Sequence, residues 1–352
     1  MKISFFIGGM RRGGAERVIS ILANDYCQRG WDVDIVLLLN NAVEYDLDSR
    51  INIVNITKKA GGYMKNAPRW LKGIRKYLKE RKPDQVVSFV GRINALVLTA
   101  SMGLKLPIVV SERNDPKQDG RGAFMQWYCN RVYHRAKAIV YQNEHEKSCF
   151  SKSLEKKGCI IPNPVSVAAV KTEPSTIVAT AGRLIEQKNQ KILVSAMAQV
   201  HKVYPDVKCR IYGEGNLRAP LQTQSEELGL QNVVSLEGNV KDIHQRLADC
   251  GIFALTSNFE GLSNALIEAM MVGLACITTD YPGARELITD GENGLVVPMN
   301  DADALASAII KLIENKDGCA DTLADQGKHF ADRFRADVVL EQWHNTIEGG
   351  NL

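Results

Sequence analysis

Short β-branched apolar runs recur along this chain with helical patterns between them, and that alternation limits what it can fold into. Lys2–Ile7, Val33–Leu39, Ile51–Ile56, Gln85–Val90, Pro107–Val110 and Ala138–Tyr141 are each only a few residues long and largely apolar. Runs of that kind suit strands covered on both faces. Between several of them lie segments with helical spacing, such as Glu16–Arg29 and Arg69–Arg81. The order strand, helix, strand predicts an α/β fold with a doubly wound parallel sheet. Ile161-Pro162-Asn163-Pro164-Val165 interrupts the series, because two prolines around an Asn cannot continue a helix. A polar stretch to Ser175 follows, and a second series opens at Thr176–Ala181. It continues with Val207–Tyr212, Val233–Leu236, Ile252–Leu255, Ala275–Thr278 and Gly294–Val297. The reading is two Rossmann-like domains, residues 1–165 and 166–330, which also suits a chain of 352 residues. Residues 331–352 form a tail. Its helical stretch Phe330–Ile347 offers Leu340 and Trp343 to pack back on the N-terminal domain.

Charge divides along the same line. Residues 1–165 carry 28 Lys and Arg against 15 Asp and Glu, a balance of +13, while residues 166–352 carry 16 against 25, a balance of −9. The basic half suits an anionic partner such as a phospholipid surface, a pyrophosphate lipid or a nucleic acid. Pro68–Lys82 concentrates this charge, with seven cations and the single acid Glu80. Trp70, Leu71, Ile74, Tyr77 and Leu78 recur there at helical spacing. Such a helix can lie on an anionic bilayer or serve as a crossover helix with its stripe on the sheet. The basic excess favours a membrane or a lipid-linked ligand. No apolar run of about 18 residues exists to span a bilayer, since Ala95–Val110 is broken by Lys105 and Pro107. The first residues are too short for a secretory h-region and read as a strand. Eight scattered cysteines without a Cys-x-x-Cys pair argue for a reducing cytoplasm and against structural zinc.

Polar residues gather where these strands end, the edge at which open α/β sheets bind ligands. After Ile252–Leu255 comes Glu260-Gly261-Leu262-Ser263-Asn264-Ala265-Leu266-Ile267-Glu268. It holds two carboxylates eight residues apart, the second on an apolar helix. A carboxylate accepts two hydroxyl hydrogen bonds, which suits a sugar. Gly182, Arg183 and Lys188 follow the strand ending at Ala181 and place two cations ahead of a helix, a pattern for phosphate. Gly213-Glu214-Gly215 is a further glycine turn. In the first half, Gly8-Gly9-Met10-Arg11-Arg12-Gly13-Gly14 brings four glycines around two arginines before a helix, without the dinucleotide spacing. Glu112, Arg113, Asn114 and Asp115 form a polar cluster after Val110.

Taken in order, these motifs resemble the retaining nucleotide-sugar-dependent glycosyltransferases of family 4 with the GT-B fold. They are Gly13-Gly14-Ala15-Glu16-Arg17, Gly182-Arg183-Leu184 with Lys188-Asn189, Gly213-Glu214-Gly215, Glu260…Glu268, Pro282-Gly283-Ala284-Arg285-Glu286-Leu287-Ile288 and Gly291-Glu292-Asn293-Gly294-Leu295-Val296. The resemblance covers nearly the whole length. It implies two Rossmann-like domains with parallel sheets facing a central cleft, acceptor on the first domain and donor on the second. It further implies that Arg183 and Lys188 neutralise the donor diphosphate, that Glu268 takes the ribose hydroxyls, and that Glu260 holds the transferred sugar. Backbone N–H groups of Gly261, Leu262, Ser263 and Asn264 lie nearby, with Gly182 and Gly213 lining the donor. Gly14 approaches the diphosphate from the first domain. Arg11, Arg12, Glu112, Arg113, Asn114 and Asp115 are the acceptor-side candidates.

Two cations can do the work of a Mg²⁺ at the leaving group, so neither metal nor cofactor is expected. Many relatives carry a His where this chain has Arg113. A guanidinium only donates, so that role does not transfer. The Ser-Glu-Arg-Asn-Asp-Pro order and the basic helix resemble enzymes that extend polyprenyl-diphosphate-linked oligosaccharides at the inner face of the membrane. Those enzymes use a UDP-sugar to form an α-linkage in surface polysaccharide or glycan assembly. A GT-B epimerase is the nearest alternative. A nucleotide-cofactor oxidoreductase lacks its glycine fingerprint, and a nucleic-acid binder lacks stacking aromatics.

Overall fold

The computed structural model describes the chain except residues 12, 57–62, 114–115, 117–118, 282 and 350–352, and except the side chains of 63–65. The chain divides into two compact units, Met1–Pro164 with Asp337–Leu352, and Val165–Ala336.

The first unit runs β1 (Lys2–Ile7), α1 (Gly14–Gln28), β2 (Asp32–Leu37), β3 (Asn52–Asn55), α2 (Tyr63–Arg81), β4 (Gln85–Phe89) and α3 (Gly91–Ala100). It continues with β5 (Ile108–Ser111), α4 (Gly122–Val132), β6 (Ala138–Tyr141), α5 (Glu144–Ser148), α6 (Lys152–Lys157) and β7 (Gly158–Ile160). All seven strands are parallel, in the order β3-β2-β1-β4-β5-β6-β7. Alternate strand residues feed opposite faces. In β1, Ile3, Phe5 and Ile7 enter the core layer that holds α1, while Phe6 enters the layer that holds Trp70, Ile74 and Leu78 of α2. Those three residues are at most 1% exposed. These three residues of the apolar stripe of α2 are therefore core, and Arg69, Lys72, Lys76 and Lys79 are exposed to solvent. β7 escaped the sequence reading because it is three residues long and follows two lysines.

The second unit runs β8 (Val178–Ala181), α7 (Gln190–Val203), β9 (Cys209–Tyr212), α8 (Arg218–Glu227), β10 (Val234–Gly238), α9 (Ile243–Ala248) and β11 (Ile252–Leu255). It closes with α10 (Asn264–Val272), β12 (Ala275–Thr279), β13 (Leu295–Val297), α11 (Ala302–Glu314) and α12 (Cys319–Ala331). Its six parallel strands are ordered β10-β9-β8-β11-β12-β13. The strand order reverses direction at β8, which pairs with β11 although a long stretch of chain separates them. A reversal of this kind splays the following loops apart and opens a crevice at the carboxyl ends.

The expected single helix over Phe330–Ile347 is two. After α12 a short 3₁₀ turn, Asp332–Phe334, leads to Arg335, which pairs with Val165, and α13 (Ala336–Glu348) begins anew. The Val165 N–H donates to the Phe334 carbonyl and the Ala336 N–H to the Val165 carbonyl, 2.8 and 2.9 Å. The interdomain segment thus takes the backbone groups a continuous helix would have used. α13 belongs to the first unit. Val339, Trp343 and Ile347, four residues apart, are fully buried, with Trp343 stacked on Phe89 at 5.6 Å. Side chains of this size contribute about 1.5–3 kcal/mol each when buried.

Candidate active site

The crevice between β8 and β11 collects most of the predicted site. β8 ends at Ala181, and α7 does not open until Gln190, so the helix begins later than the sequence suggests. The intervening loop is held down because Leu184 plugs the core and the Gln190 side chain donates to the Arg183 carbonyl at 3.0 Å. Arg183 is therefore on a loop and not on a helix terminus. Its side chain is exposed.

Gly182 has φ of +154° and Gly213 φ of +132°, and a Cβ on Gly213 would lie 2.0 Å from the Gly182 carbonyl oxygen. Only glycine lets the ends of β8 and β9 approach this closely.

Lys188 points across the crevice to Glu260. Their ammonium and carboxylate are in contact, with side chains 15% and 11% exposed, and the Ser257 hydroxyl donates to the same carboxylate oxygen at 2.8 Å. Around them the two loops are stitched together. Thr256 Oγ1 donates to the Lys188 carbonyl at 2.8 Å, Gln187 Nε2 to the Phe259 carbonyl at 2.9 Å, and Asn258 Nδ2 to the Glu186 carbonyl at 3.0 Å. Two residues chosen separately from the sequence, 72 positions apart, thus form one charged pair.

Glu260 leads through exposed Gly261 and half-buried Leu262 into α10, whose N-cap is Ser263 and whose first residue is Asn264. Ser263 makes no side-chain cap bond. Its hydroxyl is buried and without a partner among the described residues. The backbone N–H groups of the first turn and this hydroxyl stand together at the end of the loop, the kind of helix start that receives an anion. Glu268 lies one turn further along α10, and its carboxylate is 3.7 Å from His244 Nε2 on α9.

His244 was not anticipated. Its Nδ1 accepts from the Ala168 N–H at 3.2 Å, which places the ring proton on Nε2, the nitrogen nearest Glu268. Tyr281 was also missed. Its hydroxyl is buried without a partner among the described residues, and burial first, then the nearby Glu260 charge, pushes its ionisation well above the usual range. A single His in a polar helix and a Tyr before a proline give no spacing signal. Pro282 lies outside the described residues.

In the first unit, Gly14 is the first residue of α1, and Tyr45 clamps the preceding Gly13. The Tyr45 hydroxyl accepts from the Gly13 N–H at 3.0 Å and donates to its carbonyl at 2.8 Å. Arg11 is exposed, whereas Arg12, Asn114 and Asp115 lie outside the described residues.

The expectation that Glu112 faces a ligand is corrected. Its carboxylate has no solvent exposure, pairs with the equally buried Arg121 at 2.7 Å and accepts from the Tyr133 hydroxyl. Arg121 is nine residues downstream and brings Asp119 with it at 2.7 Å. A polar run that looks like a surface cluster is thus an internal network.

Arg113 is also buried. It sits 5.3 and 5.4 Å from the ring centroids of Phe89 and Trp343, and donates to Ser111 Oγ at 2.7 Å and to Asn163 Oδ1 at 2.9 Å. Burial pushes its guanidinium down to about 10, which leaves it charged at neutral pH. Its Nη2 has no partner among the described residues. Among the described residues no group of three or more His, Cys, Asp or Glu is arranged to hold a metal ion.

Comparison with known proteins places this geometry. Residues 166–329 match the model of the glycosyl transferases group 1, and residues 13–157 match a glycosyl transferase 4-like domain. The chain is a family 4 glycosyltransferase of the GT-B fold.

The enzyme is 28% identical to a Campylobacter jejuni protein, GalNAc-alpha-(1->4)-GalNAc-alpha-(1->3)-diNAcBac-PP-undecaprenol alpha-1,4-N-acetyl-D-galactosaminyltransferase, across 99% of this chain and 98% of that one. It is 27% identical, across 89% and 90%, to a second protein of that organism, N-acetylgalactosamine-N,N'-diacetylbacillosaminyl-diphospho-undecaprenol 4-alpha-N-acetylgalactosaminyltransferase. Its fold is that of Anabaena HepE, whose structure was solved in complex with UDP. The TM-score is 0.83 at 22% identity, covering 98% of this chain and 99% of that one.

Proposed function

We propose that the enzyme moves a hexose or N-acetylhexosamine from a UDP-sugar to a polyprenyl-diphosphate-linked oligosaccharide, retaining the anomeric configuration and forming an α-linkage. The reaction serves surface polysaccharide or glycan assembly. The observation that carries the donor half is the Lys188–Glu260 pair in the β8/β11 crevice, with exposed Arg183 on the same loop as Lys188 and the N-terminus of α10 shortly after Glu260. A departing nucleoside diphosphate gathers negative charge, and fixed cations and helix N–H groups aimed at that charge lower the barrier. Lys188 and Arg183 supply the cations. Glu260, anchored by Lys188 and Ser257, keeps an oxygen for sugar hydroxyls, and Glu268 accepts from the ribose. The two Campylobacter relatives, both named for undecaprenyl-diphosphate-linked substrates and α-linked transfer, support the acceptor class and the linkage. The UDP in the HepE complex supports the choice of nucleotide. The chemistry runs without a metal, and the acceptor sits on the first unit.

No helix of the described residues is long and apolar enough to cross a membrane. The enzyme meets its lipid-linked acceptor as a peripheral protein on the inner face of the cytoplasmic membrane.

The test is a panel of UDP- and GDP-sugars, each incubated with the purified protein and a short-chain polyprenyl-diphosphate oligosaccharide. Release of UDP from one sugar with extension of the acceptor is the expected result. GDP release, or no nucleotide release from any donor, contradicts the proposal.

A further inference from the structure

α2 can attract a membrane but cannot enter one, because its apolar stripe is buried in the core. The first unit carries a different apolar feature on the same side of its sheet. Phe124 and Trp127 of α4 are 74% and 61% exposed, and their rings lie 5.9 Å apart. On a helical wheel Phe124, Trp127 and Arg131 share one stripe, opposite the buried Cys129 and Val132 that hold α4 to the core. Two large aromatics held out in water have no role in the folding of this unit. α4 follows β5, so its first turns stand at the carboxyl edge of the sheet, the edge that also bears Arg11 and Gly14.

The charge of this helix layer is one-sided. The layer formed by α2, α3 and α4 carries seven cations on α2, one on α3 and one on α4, against the single acid Glu80. Arg69, Lys72, Lys76 and Lys79 of α2 and Arg131 of α4 are exposed. Aromatic side chains beside a basic surface suit the interface of an anionic bilayer, where rings settle at headgroup depth and cations meet phosphate.

We infer that the outer face of α4, through Phe124 and Trp127, is the element that inserts into an anionic phospholipid surface, while the cations of α2 and Arg131 hold it there. The inference rests on the proposed lipid-linked acceptor for its purpose, but not for its test. Each cation near the surface strengthens adsorption by several-fold, whereas the aromatic pair supplies the insertion.

The experiment uses the full chain with vesicles of equal phosphatidylglycerol and phosphatidylcholine, and with vesicles of phosphatidylcholine alone. Trp70 and Trp343 are buried and Trp31 is half-buried. A blue shift of emission on adding anionic vesicles, with quenching by dibrominated lipid, therefore reports Trp127. The double variant Phe124→Ser/Trp127→Ser should keep its circular dichroism and its kcat on a water-soluble acceptor, yet sediment with anionic vesicles at least tenfold less well. Lys72→Glu/Lys79→Glu should weaken sedimentation comparably and make it less dependent on salt. Absence of the shift, unchanged sedimentation of the aromatic variant, or equal binding to pure phosphatidylcholine overturns the inference. If the function proposed above were wrong, nucleotide release would be absent while vesicle binding persisted, so the two failures are distinguishable.

Discussion

Replacing Lys188 by Ala separates what its ion pair does for the fold from what it does for the reaction. Lys188 and Glu260 keep only 15% and 11% of their side-chain surface in water. Breaking a sealed ion pair from one side costs about 3–5 kcal/mol, mostly because the remaining charge is stranded. Here Ser257 still donates to Glu260, and some solvent reaches it. The expected loss for Lys188→Ala is therefore about 2 kcal/mol, below that range. In Lys188→Ala/Glu260→Gln no charge is stranded, so the double variant should recover about 1–2 kcal/mol relative to the sum of the single ones. Urea unfolding of the four proteins at neutral pH measures this. The kinetic effect is larger. Removing a group that stabilises developing charge costs about 10²–10³ in rate, or 2.7–4 kcal/mol. It should fall on kcat and leave the donor KM nearly unchanged, because the charge exists only as the diphosphate departs. Additive stabilities would refute the pair as a thermodynamic unit. A kcat within a factor of about two of wild type would refute the leaving-group role on the same argument.

The product should retain the donor's configuration, so an α-donor gives an α-linkage in the anomeric coupling measured by NMR; a β-linked product rejects the proposed mechanism. Arg121→Met should destabilise the first unit by about 3–5 kcal/mol, since it strands the sealed Glu112 carboxylate. Adding Glu112→Gln should return part of that in urea unfolding, and no recovery would mean that packing, not charge, governs the site. Burial alone would raise the Glu348 carboxyl, but its two hydrogen bonds from Arg29 outweigh burial and hold it below its ordinary value near 4.5. A depressed carboxyl stabilises above its unfolded pKa and loses that contribution as pH falls through the folded one. Glu348→Gln should therefore lower stability at pH 7 by no more than about 1 kcal/mol, given the pair's partial exposure. The difference should shrink as pH falls below the ordinary carboxyl range, and a deficit independent of pH in thermal unfolding would exclude the ion pair as its source.

The strands were legible because a strand covered on both faces must be almost wholly apolar, and such short runs stand out between polar helices. Lys188 and Glu260 were legible one at a time, each as a charge after a strand. Their contact was not, because it depends on β8 lying beside β11, and strand order is set by crossovers that local pattern does not encode. Glu112 illustrates the opposite limit. A carboxylate after a strand looks the same whether it faces water or a buried arginine nine residues on, and only the fold of the α4 segment decides. α2 was ambiguous for a related reason: an amphipathic stripe is equally suited to a sheet and to a bilayer, and here the sheet has it. Phe124 and Trp127 drew no notice at all, since two aromatics in a helix are ordinarily core.

Calorimetric titration of UDP into the wild-type enzyme and into Glu268→Ala, both in EDTA, tests the assignment of the β8/β11 crevice most directly. Wild type should bind without any divalent metal. Loss of a carboxylate from ribose hydroxyls, about 1.5–3 kcal/mol for charged hydrogen bonds, should weaken binding roughly 10- to 150-fold with the fold intact. Equal affinities for the two proteins, or binding that appears only when metal is restored, would contradict the account.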